Sequence, residues 1–246
     1  MKYFVPDIRV AAELPPQTTI EDKLGGLPWG LTSADWPKCA NCGGSLSLLS
    51  QFIHDPGRLD LGREGRTLLV FQCNHAPGEC SVWEGGSGAN AIFIIEPEAI
   101  IEGFTDLPND SPTIEHEVRV VSWLERDDGV PNGLNAAFFD DDRYLSLPET
   151  TREMVTSTTR LGGVPHWMQF PSEAPNGWNF IGQLDSSYSF LTAPMKTAPW
   201  ISIDAERWEG RSHVGQGPNF GDGGIAYMFL RPAQGVPDAW FFWQCS

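Results

Sequence analysis

The sequence predicts a mainly β protein with minor α content (an α+β chain), built as two duplicated β-rich halves packed into one compact unit. Three observations predict it: an ordered internal repeat, short apolar runs rich in β-formers, and 26 glycines with 20 prolines among 246 residues. So many turn-formers suit a chain that reverses direction often and do not suit a helical bundle.

The repeat comes first. Lys23-Leu-Gly-Gly-Leu-Pro28 is followed by Trp36-Pro37 and by Leu48-Leu-Ser-Gln51. Later, Arg160-Leu-Gly-Gly-Val-Pro165 is followed by Ala174-Pro175 and by Phe180-Ile-Gly-Gln183. Each copy runs from a basic residue through paired glycines and a proline to an apolar run ending in Gln. Paired glycines imply positive φ or a close approach to another element. The expected halves are residues 1–104 and 143–246, joined by a turn-rich connection over 105–142.

Strands are expected over 67–71, 91–95, 117–124, 178–184, 225–230 and 239–244, because each is short, rich in β-formers and bounded by turn residues. Helix signals are few. Residues 148–155 open on Pro148 with Glu149 behind it, a helix start. A second candidate, 96–102, is interrupted by Pro97.

Four of the five cysteines form two pairs. Cys39-Ala-Asn-Cys42-Gly43-Gly44 has the form of a zinc knuckle: two spacers let both sulfurs reach one ion, and the glycine lets backbone N–H groups turn toward the thiolates. Cys73 and Cys80 are six residues apart, with Ala76-Pro77-Gly78 as the turn that would bring them together. A four-cysteine set (Cys39, Cys42, Cys73, Cys80) leaves no position open, so the expected zinc is structural. His75 is an alternative ligand in place of Cys73 or Cys80. Cys245 reads as a small buried residue. A redox role for Cys39 and Cys42 finds no surrounding βαβ pattern.

Net charge is −16, and four bound thiolates with one zinc ion would bring it to about −18. Such a surface repels phosphate backbones, which argues against nucleic-acid binding and suits a basic protein partner. No window approaches the roughly 20 apolar residues of a membrane span, and no export signal opens the chain. An odd cysteine count in that setting points to reduced thiols or metal, hence to the cytoplasm.

Taken in order, Lys23-Leu-Gly-Gly-Leu-Pro28, Trp36-Pro37, the Cys39–Cys42 knuckle and the run ending in Gln51 resemble the YwqG-like bacterial family. They also resemble its eukaryotic relative, programmed cell death protein 2. Arg66-Thr-Leu-Leu-Val-Phe-Gln-Cys73 with Cys80 and Trp83 is similar to the second cysteine segment of the eukaryotic members, and Leu161 to Pro165 with Phe180 to Gln183 extends the likeness into the second half. The resemblance implies a duplicated β-rich fold. Eukaryotic members are dedicated chaperones for a small-subunit ribosomal protein. Many bacterial members lack the cysteines, so the metal is dispensable to the family fold.

Motifs that carry catalysis are missing: no Gly-x-x-x-x-Gly-Lys, no His-Glu-x-x-His and no Gly-x-Ser-x-Gly. Gly85 to Gly88 and Gly221 to Gly224 read as turns. Glu115-His116-Glu117 enters a strand with a solvated face. Asp140, Asp141 and Asp142 lack calcium-loop spacing and read as a charged loop. Histidines stand at 54, 75, 116, 166 and 213, and His166 is expected to pair with a backbone carbonyl. Gln51 and Gln183 end equivalent apolar runs, so their amides need backbone partners, either within the protein or from a bound peptide.

The expected function is therefore a non-enzymatic protein- or peptide-binding module, chaperone-like for a basic client. The alternative is a hydrolase with its site between the halves, using Asp140, Asp141 and Asp142 or Asp222. The sequence specifies no oligomeric state.

Overall fold

The computed structural model describes residues 1–75, 79–110, 117–171, 175–186 and 218–246. Ten strands form one antiparallel sheet among these residues. They are β1 (Lys2–Val10), β2 (Lys23–Leu24), β3 (Ser47–Ile53), β4 (Thr67–Gln72) and β5 (Asn90–Ile95), then β6 (Val118–Asp127), β7 (Arg160–Gly162), β8 (Asn179–Asp185), β9 (Ile225–Arg231) and β10 (Asp238–Gln244). The spatial order is β10-β9-β8-β7-β1-β6-β2-β3-β4-β5.

That order is the same type of path from either end. Two runs of consecutive strands, β2 to β5 and β7 to β10, flank the central β1–β6 pair. The central strands are exchanged: β1 pairs with β7, and β6 pairs with β2. The run β7 to β10 therefore takes its innermost neighbour, β1, from the start of the chain, and the run β2 to β5 takes β6, the strand that follows β5 in sequence. The segment expected only to connect, 105–142, carries β6 and so supplies a central strand. Its long ladder with β1 runs from Lys2 opposite Asp127 to Val10 opposite Val118. Pro6 is tolerated in β1 because β7 reaches only Tyr3 and Phe4, so no ladder donor is missed there.

The end strands β5 and β10 pack against each other and make the sheet barrel-like and nearly closed. Strand β9 shows the burial that results. Ala226, Met228 and Leu230 enter one apolar cluster while Ile225, Tyr227 and Phe229 enter another. Period-2 alternation sends them to opposite faces, and both faces are covered. An uninterrupted apolar run is what such a strand requires. The first cluster also holds Leu68 to Phe71 of β4, Ile8 of β1 and Phe241 of β10, so it is shared by both runs.

Helices are short: α1 (Asp141–Ser146), α2 (Glu149–Glu153) and several 3-10 turns, the longest over Asn132–Phe139. Asp140 accepts from Arg143 N at 2.9 Å and caps α1. The candidate helix at 96–102 reduces to the 3-10 turn Pro97–Ala99, as expected where proline starts a turn that no apolar face extends. Strands β1, β2, β3 and β7 add to the strands expected from sequence. No helix among the described residues is long and apolar enough to cross a membrane. Ser111, Pro112, Glu115, His116, Ala174 and His213 lie outside the described residues, as does the turn Ala76-Pro77-Gly78.

Candidate functional site

The glycine pairs set the corners of both runs. Gly25 and Gly26 have φ of 69° and 68°, and Gly162 and Gly163 have 79° and 70°. These are left-handed conformations that only glycine adopts cheaply. Just before each pair, a short strand places a basic residue opposite a glutamine: Lys23 opposite Gln51, and Arg160 opposite Gln183.

Both glutamines are wholly buried. Gln51 Oε1 accepts from Trp29 N at 2.8 Å and its Nε2 donates to Glu21 O at 2.9 Å. Gln183 Oε1 accepts from His166 N at 2.9 Å, and its Nε2 donates to Thr156 O and Thr158 O at 3.2 and 3.1 Å. Each amide thus ties the loop after its glycine pair to the segment before its short strand. The backbone partners of both lie within the chain. His166 Nδ1 also lies 2.6 Å from Val155 O.

The buried cations differ in how they are satisfied. Lys23 Nζ donates to Glu117 Oε1 at 2.7 Å and sits 4.7 Å from the Phe104 ring centroid. Burial still pulls its ammonium below the usual lysine value. Arg160 donates through Nη2 to Val164 O and lies 4.9 Å from the Tyr3 ring. Burial holds its guanidinium down to about 10, with Asp128 opposing.

Cys39, Cys42, Cys73 and Cys80 come together, with all four sulfurs within 4.8 Å of one another. Cys42 Sγ lies 3.6 Å from Cys73 Sγ, and Cys73 Sγ lies 3.9 Å from Cys80 Sγ. A tetrahedral ion with metal–sulfur bonds of about 2.3 Å spaces its sulfurs by about 3.8 Å. A disulfide needs about 2.05 Å, so these thiols are not bridged. The donor set fits one thiophilic metal ion with no position left for water.

The knuckle builds this locally. Gly43 N donates to Cys39 O and Cys39 N to Gly44 O, both at 2.8 Å, with Gly43 at φ 77°. The Gly44 N–H pointing at Cys42 lowers that thiol below its ordinary value. Burial raises Cys73 and pushes Cys80 up to about 11. A metal ion must therefore displace protons from the two buried thiols. His75, the alternative ligand, instead holds Nε2 2.9 Å from Ser45 O, on the flank of the knuckle. Asp110 secures the same Ser45, accepting from its N at 3.2 Å and its Oγ at 2.9 Å. Sequence spacing gave no hint of Asp110.

A separate cleft of ≈ 400 Å³ lies between the two runs. Arg58, Leu59 and Asp60 line it from one side, and Ile181, Leu230 and Pro237 from the other. Arg58 is held in place: it donates to Asp22 Oδ2 at 3.0 Å and to Asp55 Oδ2 at 3.4 Å, and stacks 4.6 Å from the Trp123 ring. Asp22 in turn accepts from Trp123 Nε1 and Ile53 N, at 2.7 and 2.6 Å. Burial raises the Asp22 carboxyl despite these donors. The acids proposed for hydrolysis do not line this cleft: Asp140 caps α1, Asp141 and Asp142 fill its first turn, and Asp222 is exposed in the turn before β9.

No family profile, curated protein or solved structure matches the chain.

Proposed function

We propose that this protein is a non-enzymatic binding module. It holds a basic segment of a client protein in the cleft between two β-rich halves, and a structural zinc ion staples the first half. The cleft carries the reading: residues from both runs wall an apolar recess, with the half-exposed or better Asp60 carboxylate at its edge. An aliphatic stem of lysine or arginine fits against Leu59, Ile181 and Leu230 while its charge meets Asp60. A net charge of −16 steers such a segment toward the protein.

Four sulfurs at tetrahedral spacing favour zinc over a hard cation. Bound there, zinc would hold the segment from Cys73 to Cys80 against the knuckle and supply no chemistry beyond that. The mirrored strand order and the paired Lys23–Gln51 and Arg160–Gln183 contacts support an origin by duplication. They also support the proposed kinship with the YwqG-like family, and through it a cytoplasmic chaperone-like role.

Two measurements test the proposal. Protein purified without added metal should carry close to one zinc per chain; less than about 0.2, with freely titrating thiols, rejects the metal assignment. Fluorescence anisotropy with lysine- and arginine-rich peptides should show binding that an acidic peptide lacks. Asp60→Arg should abolish it, and unchanged affinity would reject the cleft as the site.

A further inference from the structure

The four clustered cysteines are not equivalent. Cys39, Cys73 and Cys80 are buried, and Cys42, in the knuckle turn, is exposed. Held to a metal ion, all four are thiolates, the form that reacts with oxidants. Burial closes three of those sulfurs to an attacking molecule, so the site has a single point of entry. A small, neutral oxidant is the class that reaches it, because a net charge of −16 slows the approach of anionic ones such as glutathione disulfide.

The geometry also supplies a second thiol. Cys42 Sγ lies 3.6 Å from Cys73 Sγ, across the junction of the two cysteine segments. A disulfide needs about 2.05 Å, so closing this pair takes a movement of about 1.5 Å. The turn can give that much: Ala40 to Gly43 are all exposed, and nothing lies within 4 Å of where a Cβ on Gly43 would stand.

We infer that Cys42 is an oxidation site for hydrogen peroxide, that Cys73 is its resolving thiol, and that their reaction releases the metal ion. The Cys42 thiolate attacks one peroxide oxygen; an S–O bond forms, the O–O bond breaks and hydroxide leaves, giving a sulfenic acid. The Cys73 thiolate then attacks the Cys42 sulfur; the S–S bond forms, the S–O bond breaks and a second hydroxide leaves. Two thiolates lose two electrons, and one peroxide gains them. Cys39 and Cys80 remain as donors, too few to close a tetrahedral site.

The loss is felt where the two ends of the sheet meet. Cys80 stands three residues before Trp83, whose carbonyl accepts from Trp243 N at 3.2 Å. Asn90 Nδ2 still holds Val82 O at 2.8 Å, so the contact with β10 loosens without coming apart.

This inference rests on the metal reading above, and the two fail separately. A chain that carries no zinc sinks that reading, whereas a chain that holds zinc and keeps it under peroxide sinks only this one. The test uses the zinc-loaded full chain, titrated with hydrogen peroxide beside a chromogenic zinc indicator. Zinc should be released in step with the loss of two cluster thiols, and dithiothreitol with added zinc should restore the site. Dimedone, which traps sulfenic acids, should label Cys42 in a short pulse, peptide mapping should find a Cys42–Cys73 bridge, and the Trp243 amide should exchange faster in the oxidised chain. Labelling of Cys39, Cys73 or Cys80 before Cys42, or a first bridge other than Cys42–Cys73, overturns the inference. Cys42→His keeps four donors without the exposed thiolate, so it should hold zinc and release it at least about tenfold more slowly. Release at the parent rate overturns the inference as well, and if that variant binds no metal the dimedone pulse on the parent chain decides.

Discussion

The carbonyl oxygen of Trp83 accepts a hydrogen bond from the amide of Trp243 at 3.2 Å, and the two indoles meet edge to face at 6.2 Å. Trp83 follows Cys80 by three residues, and Trp243 lies in β10, the last strand of the sheet. Beside them, a Cβ at Gly85 would sit 2.4 Å from the Trp240 ring, so the loop presses directly on β10. The cysteine-held segment is therefore part of the contact that brings the two ends of the sheet together.

Removing metal should loosen that contact. Chelation, or Cys73→Ser, is expected to cost at least about 3 kcal/mol and lower Tm by about 6–12 °C. Hydrogen exchange adds a local readout: the Trp243 amide should lose protection while amides in the β1–β6 ladder keep theirs. Uniform loss across both would show that the cluster does not act on the seam.

Gln51→Leu and Gln183→Leu should be costly to a similar degree. Each strands a backbone N–H, of Trp29 or of His166, away from its acceptor. Leaving one buried donor unpaired costs about 1–3 kcal/mol. Urea unfolding checks both, and a neutral result for either would contradict its role as a tie between loop and strand.

Asp22 gives the stability a defined pH dependence. Burial raises its folded pKa above 3.8, so between 3.8 and the raised value the native state binds more protons than the unfolded chain. Stability contributed by this group is present below that window and is lost as pH rises through it. The difference in unfolding free energy between the parent and Asp22→Asn should therefore fall as pH increases from about 4. A difference that is flat from pH 3.5 to 6.5, or one that rises, would contradict the assignment.

Gly26→Ala should destabilise more than Gly177→Ala. Both glycines have positive φ, at 68° and 79°, and share a backbone penalty of about 1–2 kcal/mol. Only at Gly26 would the new Cβ fall 2.2 Å from Glu117 Oε2, the acid that holds Lys23; at Gly177 nothing lies within 4 Å. Thermal melts of the two variants separate the strain from the clash.

Much of the strand content was legible because its signal is local. The runs 67–71, 225–230 and 239–244 fall inside β4, β9 and β10, since buried strands need unbroken apolar sequence. The corners were legible too, because paired glycines imply positive φ or a close approach to another element, and Gly25, Gly26, Gly162 and Gly163 all have positive φ. Strand β1 was not: Lys2, Pro6, Asp7 and Arg9 mask its alternation, and its place comes from pairing with β6, over a hundred residues away. The two-residue strand β2 was equally silent, being too short to show any period.

The sequence by itself determined the β class, the glycine corners and which four cysteines could share an ion, because each follows from residue type and short spacing. Only the tertiary structure decided that β1 and β6 exchange partners, that the amides of Gln51 and Gln183 bond their own chain, and that the cysteine segment meets β10. Those relations join residues far apart in the chain, and long-range pairing is set by the packing of the whole sheet, which no local pattern encodes.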